Sequence, residues 1–171
     1  MKEIKMTKAI FPGSFDPITN GHVEVIEGAS HMFEKLYVVI MTNTSKKYLF
    51  NEKERLELAR KVFENNEKVE VIARPAELTV EVAHELGAGA IVRGLRNTAD
   101  FNYERDIAGI NKTLDPDLNT VLLFTRPEDS FISSSMIKET VFFGGDVSTL
   151  VPKPVAAALE EKLRNRNNEK K

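Results

Sequence analysis

Short apolar runs alternate with amphipathic stretches along almost the whole chain, and this alternation restricts the possible folds more than any other feature. Apolar runs of strand length occupy residues 8–11, 36–41, 69–72, 90–92 and 120–124. Helical spacing of apolar residues predicts helices at residues 20–33, 51–63, 78–86, 98–114, 133–143 and 154–163. Strands and helices that alternate in this way form parallel sheets with helices on both faces.

The predicted architecture is a single-domain Rossmann-like α/β fold, a doubly wound sheet of five parallel strands. The 171 residues are enough for one domain with its own core. We expect this domain to cover residues 1–164 and a polar, disordered tail to cover residues 165–171. No linker or internal repeat suggests a second domain.

Composition excludes several classes of function. The chain has no cysteine, which removes disulfide scaffolds, thiolate zinc sites and cysteine nucleophiles. A net charge of -2 argues against a chain-wide attraction to nucleic acid or to an anionic membrane. No apolar stretch suggests a signal peptide or a membrane span, so we expect a cytoplasmic protein.

The loop after the first strand is the most informative segment, because ligands of such sheets bind beyond the carboxyl ends of the strands. It reads Pro-Gly-Ser-Phe-Asp-Pro-Ile-Thr-Asn-Gly-His over residues 12–22. Gly13 allows a ligand to approach the backbone, and Ser14 offers a hydroxyl group. Thr19 and His22 lie at the start of the next helix, where free amides attract anions. Each residue alone could serve only a turn or a cap, but together they predict a phosphate site.

Three further blocks place polar groups at strand ends or helix starts. Lys46 follows the second strand, although Lys46 and Lys47 could equally form a solvated basic loop. The sequence Arg93-Gly94-Leu95-Arg96 follows the fourth strand and carries two guanidinium groups to the binding side of the sheet. Residues 133–135 are three serines that open a helix, and ordinary capping explains only one of them.

These blocks occur together in one family. Pro-Gly-Ser-Phe-Asp-Pro followed by Thr-x-Gly-His resembles the Thr/His-x-Gly-His signature of the nucleotidyltransferase superfamily, in the form carried by phosphopantetheine adenylyltransferases. The resemblance continues through Ser45-Lys-Lys, Val92-Arg-Gly-Leu-Arg, Asp100-Phe-x-Tyr-Glu and Ser130-Phe-Ile-Ser-Ser-Ser, and it spans roughly residues 9–163. It implies direct in-line transfer of the adenylyl group of ATP to 4'-phosphopantetheine, giving dephospho-CoA and pyrophosphate in coenzyme A biosynthesis.

The same resemblance implies roles for individual residues. The residues expected to be catalytic are His22, Lys46 and Arg96. Those expected to bind ATP are Ser14, Phe15, His22, Gly94, Leu95, Arg96, Glu104, Asp129, Ser130, Phe131, Ile132, Ser133, Ser134 and Ser135. Those expected to bind 4'-phosphopantetheine are Ser14, Lys46, Thr79, Arg93 and Asn111. The resemblance also implies Mg²⁺ delivered with ATP and no metal ligands of its own, a homohexamer, and coenzyme A as a candidate feedback inhibitor.

Several alternatives stay open at this point. Glu104 could instead be an exposed helical residue paired with Arg105 or Lys112. Asp129 stands where some relatives carry an aromatic residue near adenine, so nucleotide affinity could differ. The chain could also be a sister nucleotidyltransferase that acts on nicotinamide mononucleotide or glycerol phosphate. A third candidate is a nucleotide-binding regulator without catalysis.

Overall fold

A computed structural model describes residues 7–43 and 46–169, and its five strands form a single sheet. The strands are β1 (Lys8–Gly13), β2 (Lys35–Met41), β3 (Val69–Arg74), β4 (Ala90–Leu95) and β5 (Asn119–Phe124). All pairings are parallel, and the order across the sheet is β3-β2-β1-β4-β5. The predicted Rossmann-like sheet of five parallel strands is therefore confirmed.

Helices cover both faces of this sheet. They are α1 (Asn20–Ser30), α2 (Glu52–Val62), α3 (Thr79–Leu86), α4 (Thr98–Leu114), α5 (Ser134–Phe142) and α6 (Lys153–Glu169). Side chains alternate along β1, so Ala9 and Phe11 join the larger core under α1, α2, α5 and α6. Ile10 joins the smaller core under α3, against which α4 packs.

The fourth strand is longer than predicted. Strand β4 continues to Leu95, so Arg93, Gly94 and Leu95 form the end of the strand rather than the segment after it.

Several other element boundaries also differ from those predicted. Strand β1 continues through Pro12 and Gly13, which we expected to stop it. Helix α1 ends at Ser30 rather than at residue 33, although Phe33 is buried as expected. Helix α6 continues to Glu169, into the polar segment expected to be disordered, because residues such as Glu, Lys and Arg are good helix formers. The predicted tail beyond residue 169 lies outside the described residues.

No helix in the described part of the chain combines the length and the apolarity needed to span a membrane.

The sheet opens where β1 and β4 meet. Strand β1 pairs with β2 from Lys8 to Gly13, but it pairs with β4 only at Ala9 and Ile10. The two strands therefore separate beyond Ile10, at the point where the strand order reverses. In sheets of this type, the separation creates a crevice at the carboxyl ends of the strands.

One buried carboxylate connects the loops around this crevice. The side chain of Asp16, in the loop after β1, is 3% exposed. Its oxygens accept hydrogen bonds from the backbone amides of Leu49 and Phe50, at 3.0 and 2.9 Å. The ammonium group of Lys138, on α5, lies 2.9 Å away. Asp16 thus ties the β1–α1 loop both to the segment before α2 and to α5.

We expect Asp16→Asn to lower the free energy of unfolding by about 2–3 kcal/mol, because the buried site loses its charge and Lys138 loses its partner. Denaturation in urea measures this change. The matched control is Asp146→Asn, at an exposed aspartate that accepts a hydrogen bond from the Ser148 amide at 2.8 Å. The control should leave the free energy of unfolding close to that of the parent chain, because Asp146 is exposed to solvent. Equal effects of the two substitutions would contradict the role given to Asp16.

Candidate active site

A cavity of about 550 Å³ lies at the carboxyl ends of β1 and β4. Its walls come from the β1–α1 loop, the end of β4, the segment before α2 and the first turn of α5. The predicted site residues that line it are Ser14, Phe15, His22, Lys46, Arg93, Gly94, Arg96, Glu104, Ile132, Ser133, Ser134 and Ser135. The imidazole, ammonium and guanidinium groups singled out in the sequence therefore converge on one cavity.

The other predicted residues do not line this cavity. Leu95 is 2% exposed, and its side chain lies in the core, whereas Phe131 is 57% exposed. Thr79 begins α3 and Asn111 lies on α4. The residues outside the cavity wall are Thr79, Leu95, Asn111, Asp129, Ser130 and Phe131. Their roles stay predictions, and Ser45, part of the resemblance, lies outside the described residues.

Gly13 makes room for an aromatic ring rather than only for a ligand. A Cβ atom at Gly13 would lie 2.9 Å from the ring of Phe15. Phe15 is buried and has a φ of 48°, a left-handed conformation that residues with a side chain seldom adopt. Its ring contacts the imidazole of His22 edge-on, with 5.2 Å between centroids. The tight loop thus packs an aromatic ring beneath the histidine.

The imidazole of His22 is fixed by the start of its own helix. The backbone amide of Thr19, the N-cap of α1, donates a hydrogen bond to His22 Nδ1 at 3.1 Å. Because Nδ1 is an acceptor, the proton of the neutral ring lies on Nε2. Burial, followed by the charges of Arg96 and Arg93, lowers the pKa of His22 to about 4. At neutral pH, His22 is therefore an uncharged hydrogen-bond donor.

Arg93 is held by a buried carboxylate. Its Nε and Nη2 atoms donate to the two carboxylate oxygens of Glu104, at 2.9 and 2.7 Å. Its Nη1 atom donates to the carbonyl of Pro12, across the gap between β4 and β1. Glu104 is 6% exposed, so the alternative of an exposed glutamate paired with a neighbouring helical cation is wrong. The bidentate pair fixes the plane of the guanidinium group.

Arg96 is held in a similar way by Asp100, one helical turn later. The Nε and Nη2 atoms of Arg96 lie 2.9 and 3.0 Å from the carboxylate oxygens. This hydrogen-bonded contact raises the pKa of Arg96 and lowers that of Asp100. Nη1 has no hydrogen-bond partner among the described residues, so it is available to a ligand.

The cavity is electropositive although the chain carries a net charge of -2. Lys46 and Lys47 are exposed at its rim and have no carboxylate partner within residues 7–43 and 46–169. Five cationic side chains line the cavity against three anionic ones. The cations are Lys46, Lys47, Arg93, Arg96 and Lys138, and the anions are Asp16, Asp100 and Glu104. Such a site favours a polyanionic ligand.

The three serines divide their roles at the start of α5. The hydroxyl of Ser133 accepts a hydrogen bond from the Met136 amide at 3.2 Å, which is the expected cap. Ser134 donates to the carbonyl of Pro17 at 2.8 Å. Ser135 is exposed beside them on the cavity wall. The positive end of the α5 dipole therefore faces the cavity.

Some cavity residues were given no role from the sequence. Asp100 could have been found, because it stands four residues after Arg96 near a predicted helix start. Lys138 could also have been found from its position one turn beyond the serines. Tyr48 and Thr125 carry no signal beyond their location after strands. The residues missed in this way are Asp16, Tyr48, Asp100, Thr125 and Lys138.

Comparison with known proteins identifies the family of the chain. Residues 10–140 match the family described as cytidylyltransferase-like. The chain is 99% identical over 166 residues to a phosphopantetheine adenylyltransferase of Lactobacillus johnsonii, covering 97% of this chain and all of the relative. An enzyme of the same name from Lactobacillus gasseri is 89% identical, over 97% of this chain and 100% of the relative. Another, from Lactobacillus acidophilus, is 59% identical, over 94% of this chain and 99% of the relative. The chain therefore belongs to the cytidylyltransferase-like family and, within it, to the phosphopantetheine adenylyltransferases.

Proposed function

We propose that this chain transfers the adenylyl group of ATP to 4'-phosphopantetheine, giving dephospho-CoA and pyrophosphate. The observation that carries the proposal is the convergence of His22, Lys46, Arg93 and Arg96 on one electropositive cavity at the end of the sheet. A positive cavity of this size suits two phosphorylated substrates. The names of the relatives, which are highly identical along nearly the whole chain, support the same reaction.

The chemistry needs no covalent intermediate with the protein. A phosphate oxygen of 4'-phosphopantetheine attacks the α-phosphorus of ATP and forms a new P–O bond. The bond from the α-phosphorus to the bridging oxygen of the β-phosphate breaks, and both electrons leave with pyrophosphate. Because the attacking phosphate is already an anion at neutral pH, the protein needs only to align the groups and to stabilise their charge.

The roles of the cavity groups follow from their hydrogen-bonding capacity. The Nε2 proton of His22 is donated to a non-bridging oxygen of the α-phosphate as charge develops there. Arg96 and the start of α5 bind the triphosphate, and Lys46 holds the attacking phosphate in line. Arg93 contacts the 4'-phosphopantetheine side, with its orientation maintained by Glu104. Preorganised donors of this kind lose little entropy as the reaction proceeds.

Mg²⁺ is proposed to arrive with ATP. Among the described residues, no group of three or more His, Asp or Glu side chains could hold a metal ion. Phosphate oxygens are the hard ligands that Mg²⁺ prefers, so a nucleotide can carry the ion into such a cavity. When bound, the ion would screen the phosphate charges and assist the departure of pyrophosphate. Cytoplasmic location and inhibition by coenzyme A are retained as predictions from the sequence.

An acceptor panel tests the proposed function. The purified chain is incubated with Mg²⁺, with ATP or CTP, and with 4'-phosphopantetheine, nicotinamide mononucleotide or glycerol 3-phosphate. We expect pyrophosphate release with ATP and 4'-phosphopantetheine, at a rate at least about tenfold above every other pair. A preference for another acceptor would identify a sister transferase. The absence of release with every pair would favour a nucleotide-binding regulator.

We expect His22→Ala to lower kcat by roughly a hundredfold or more, because a donor to the transition state contributes on the order of 3 kcal/mol. Steady-state kinetics and circular dichroism on the purified variant measure activity and folding together. His31→Ala, at the other end of the same helix, is the matched control and should retain activity. Near-normal turnover of the folded His22 variant would remove this residue from the mechanism.

The lowered pKa of His22 also predicts a dependence of stability on pH. Between pH 6.5 and about 4, the unfolded chain binds a proton at His22 that the folded chain excludes. The stabilising contribution of His22 to the free energy of unfolding is therefore fully present above pH 6.5. It is lost progressively as the pH falls toward 4. We expect His22→Gln to flatten this slope in urea denaturation series. An imidazole that titrates near 6.5 in the folded protein, measured by NMR, would contradict the prediction.

We further propose that copies of the chain associate through α4 and β5. Glu104 is the only residue of α4 that is buried, and no residue of β5 is buried. Large hydrophobic side chains on this surface are 42–81% exposed, namely Phe101, Tyr103, Ile110, Leu114 and Phe124. Exposed apolar surface on this scale typically marks an interface. The resemblance implies six copies.

Light scattering coupled to size-exclusion chromatography tests this association. We expect a hexamer-sized particle rather than the 19.2 kDa of one chain. Ile110→Glu should reduce that mass, because it places a charge in an apolar contact. Met32→Glu is the control, since Met32 is 53% exposed just after α1 and belongs to neither α4 nor β5. A monomeric parent chain would refute the proposed interface.

A further inference from the structure

Arg55 is a buried charged side chain that does not line the cavity but contacts residues of its wall. It lies on α2, is 1% exposed and is among the largest fully buried side chains of the described chain. Its Nη1 atom donates to the carbonyl of Ser14 at 2.6 Å and to that of Met41 at 3.3 Å. Its Nη2 atom donates to the hydroxyl of Thr42 at 3.0 Å. The guanidinium carbon lies 4.1 Å from the centre of the Tyr48 ring.

The charge of Arg55 is not neutralised by the protein around it. No carboxylate in the described part of the chain forms an ion pair with Arg55, and its Nε atom has no hydrogen-bond partner. A buried cation without a counter-ion is costly. Two of its contacts, Ser14 and Tyr48, form part of the cavity wall. An anion in the cavity would therefore supply the missing opposite charge.

Arg55 also orients the Ser14–Phe15 peptide. The only cis peptide of the described chain joins Asp16 to Pro17, so the Ser14–Phe15 peptide is trans. Its C=O and N–H groups point in opposite directions. Because Arg55 binds the carbonyl, the Phe15 amide points away from Arg55. This amide has no acceptor among the described residues, although Phe15 is 4% exposed, and buried amides without a partner are rare.

We propose that Arg55 is a positioning residue that turns the Phe15 amide toward the phosphates of the nucleotide, and that its own unneutralised charge strengthens this anion site. The left-handed backbone of Phe15 would relax without the bond from Arg55 to Ser14. The inference rests on the proposed function for the identity of the ligand. Its structural part, the orientation of one amide, can be tested separately.

Kinetics on the full chain test the effect on the reaction. Arg55→Lys retains the charge but donates from a single nitrogen atom, so it cannot reproduce the planar fork that binds both the Ser14 carbonyl and the Thr42 hydroxyl. We expect Arg55→Lys to reduce kcat/KM for ATP roughly tenfold, and Arg55→Met, which also lacks the charge, roughly a hundredfold. The matched control is Arg60→Met, on the same helix, where Nε donates to the Val71 carbonyl at 3.2 Å and neither residue lines the cavity. The control should stay within about twofold of the parent chain.

NMR tests the orientation of the amide directly. Only two Ser–Phe dipeptides occur in the sequence, Ser14–Phe15 and Ser130–Phe131. If serine carbonyls are labelled with ¹³C and phenylalanine amides with ¹⁵N, a carbonyl-filtered spectrum therefore contains two amide signals, those of Phe15 and Phe131. Ser130→Thr removes the Phe131 signal, which assigns the other to Phe15. We expect inorganic pyrophosphate to shift the Phe15 signal of the parent chain and of Arg60→Met. In Arg55→Lys, we expect that signal to be displaced before any ligand is added and its response to pyrophosphate to weaken at least about tenfold.

The outcomes separate the two proposals. A folded Arg55→Lys chain with unchanged kcat/KM for ATP and an unchanged Phe15 signal would overturn the positioning role. If Arg55→Met does not fold, Arg55→Lys alone is sufficient for this test. A weakened response of the Phe15 signal in Arg55→Lys, but not in Arg60→Met, supports that role even if the acceptor panel identifies another reaction. A parent chain whose Phe15 amide does not respond to pyrophosphate or ATP would also overturn it.

Discussion

The carboxylate of Asp16 is the contact on which the arrangement of the crevice depends. The sheet supplies strand ends, but the loops that follow them would be free to diverge. Asp16 holds the first loop against the amides of Leu49 and Phe50 and against Lys138. A carboxylate at 3% exposure is tolerated there because each of its oxygens is hydrogen-bonded. The loop geometry is thus set by this buried charge together with the apolar packing of Phe15 and Ile18.

The cations of the cavity are held in place before any ligand arrives. Glu104 fixes the plane of Arg93, Asp100 fixes that of Arg96, and Thr19 fixes the ring of His22. Each restraint uses part of the hydrogen-bonding capacity of the group and leaves the rest for a ligand. This division explains how a chain with an overall negative charge presents a positive site. Burial, together with the positive charges of Arg96 and Arg93, lowers the pKa of His22 and keeps its ring uncharged at neutral pH.

The sequence predicted the sheet and the clustering of His22, Lys46, Arg93 and Arg96, because strand periodicity and strand-end position are local properties. It could not predict the part played by Arg55. The segment Glu-Lys-Glu-Arg at residues 52–55 has the composition of a solvated helix face, and only the tertiary packing shows that its last residue is buried. The buried ion pair between Glu104 and Arg93 was missed for the same reason. Polar composition likewise suggested disorder beyond residue 164, whereas a helix continues to Glu169.

The short pairing between β1 and β4 has a consequence for how such a site can diversify. Two strands that part after Ala9 and Ile10 leave a cleft whose width is determined by the main chain. Substitution of the side chains along its rim changes which ligand the cleft can bind, and it does not require a change of fold. Because the cleft is formed by the main chain, substitutions of side chains along it can change the selectivity of the site while the pairing of the strands stays the same.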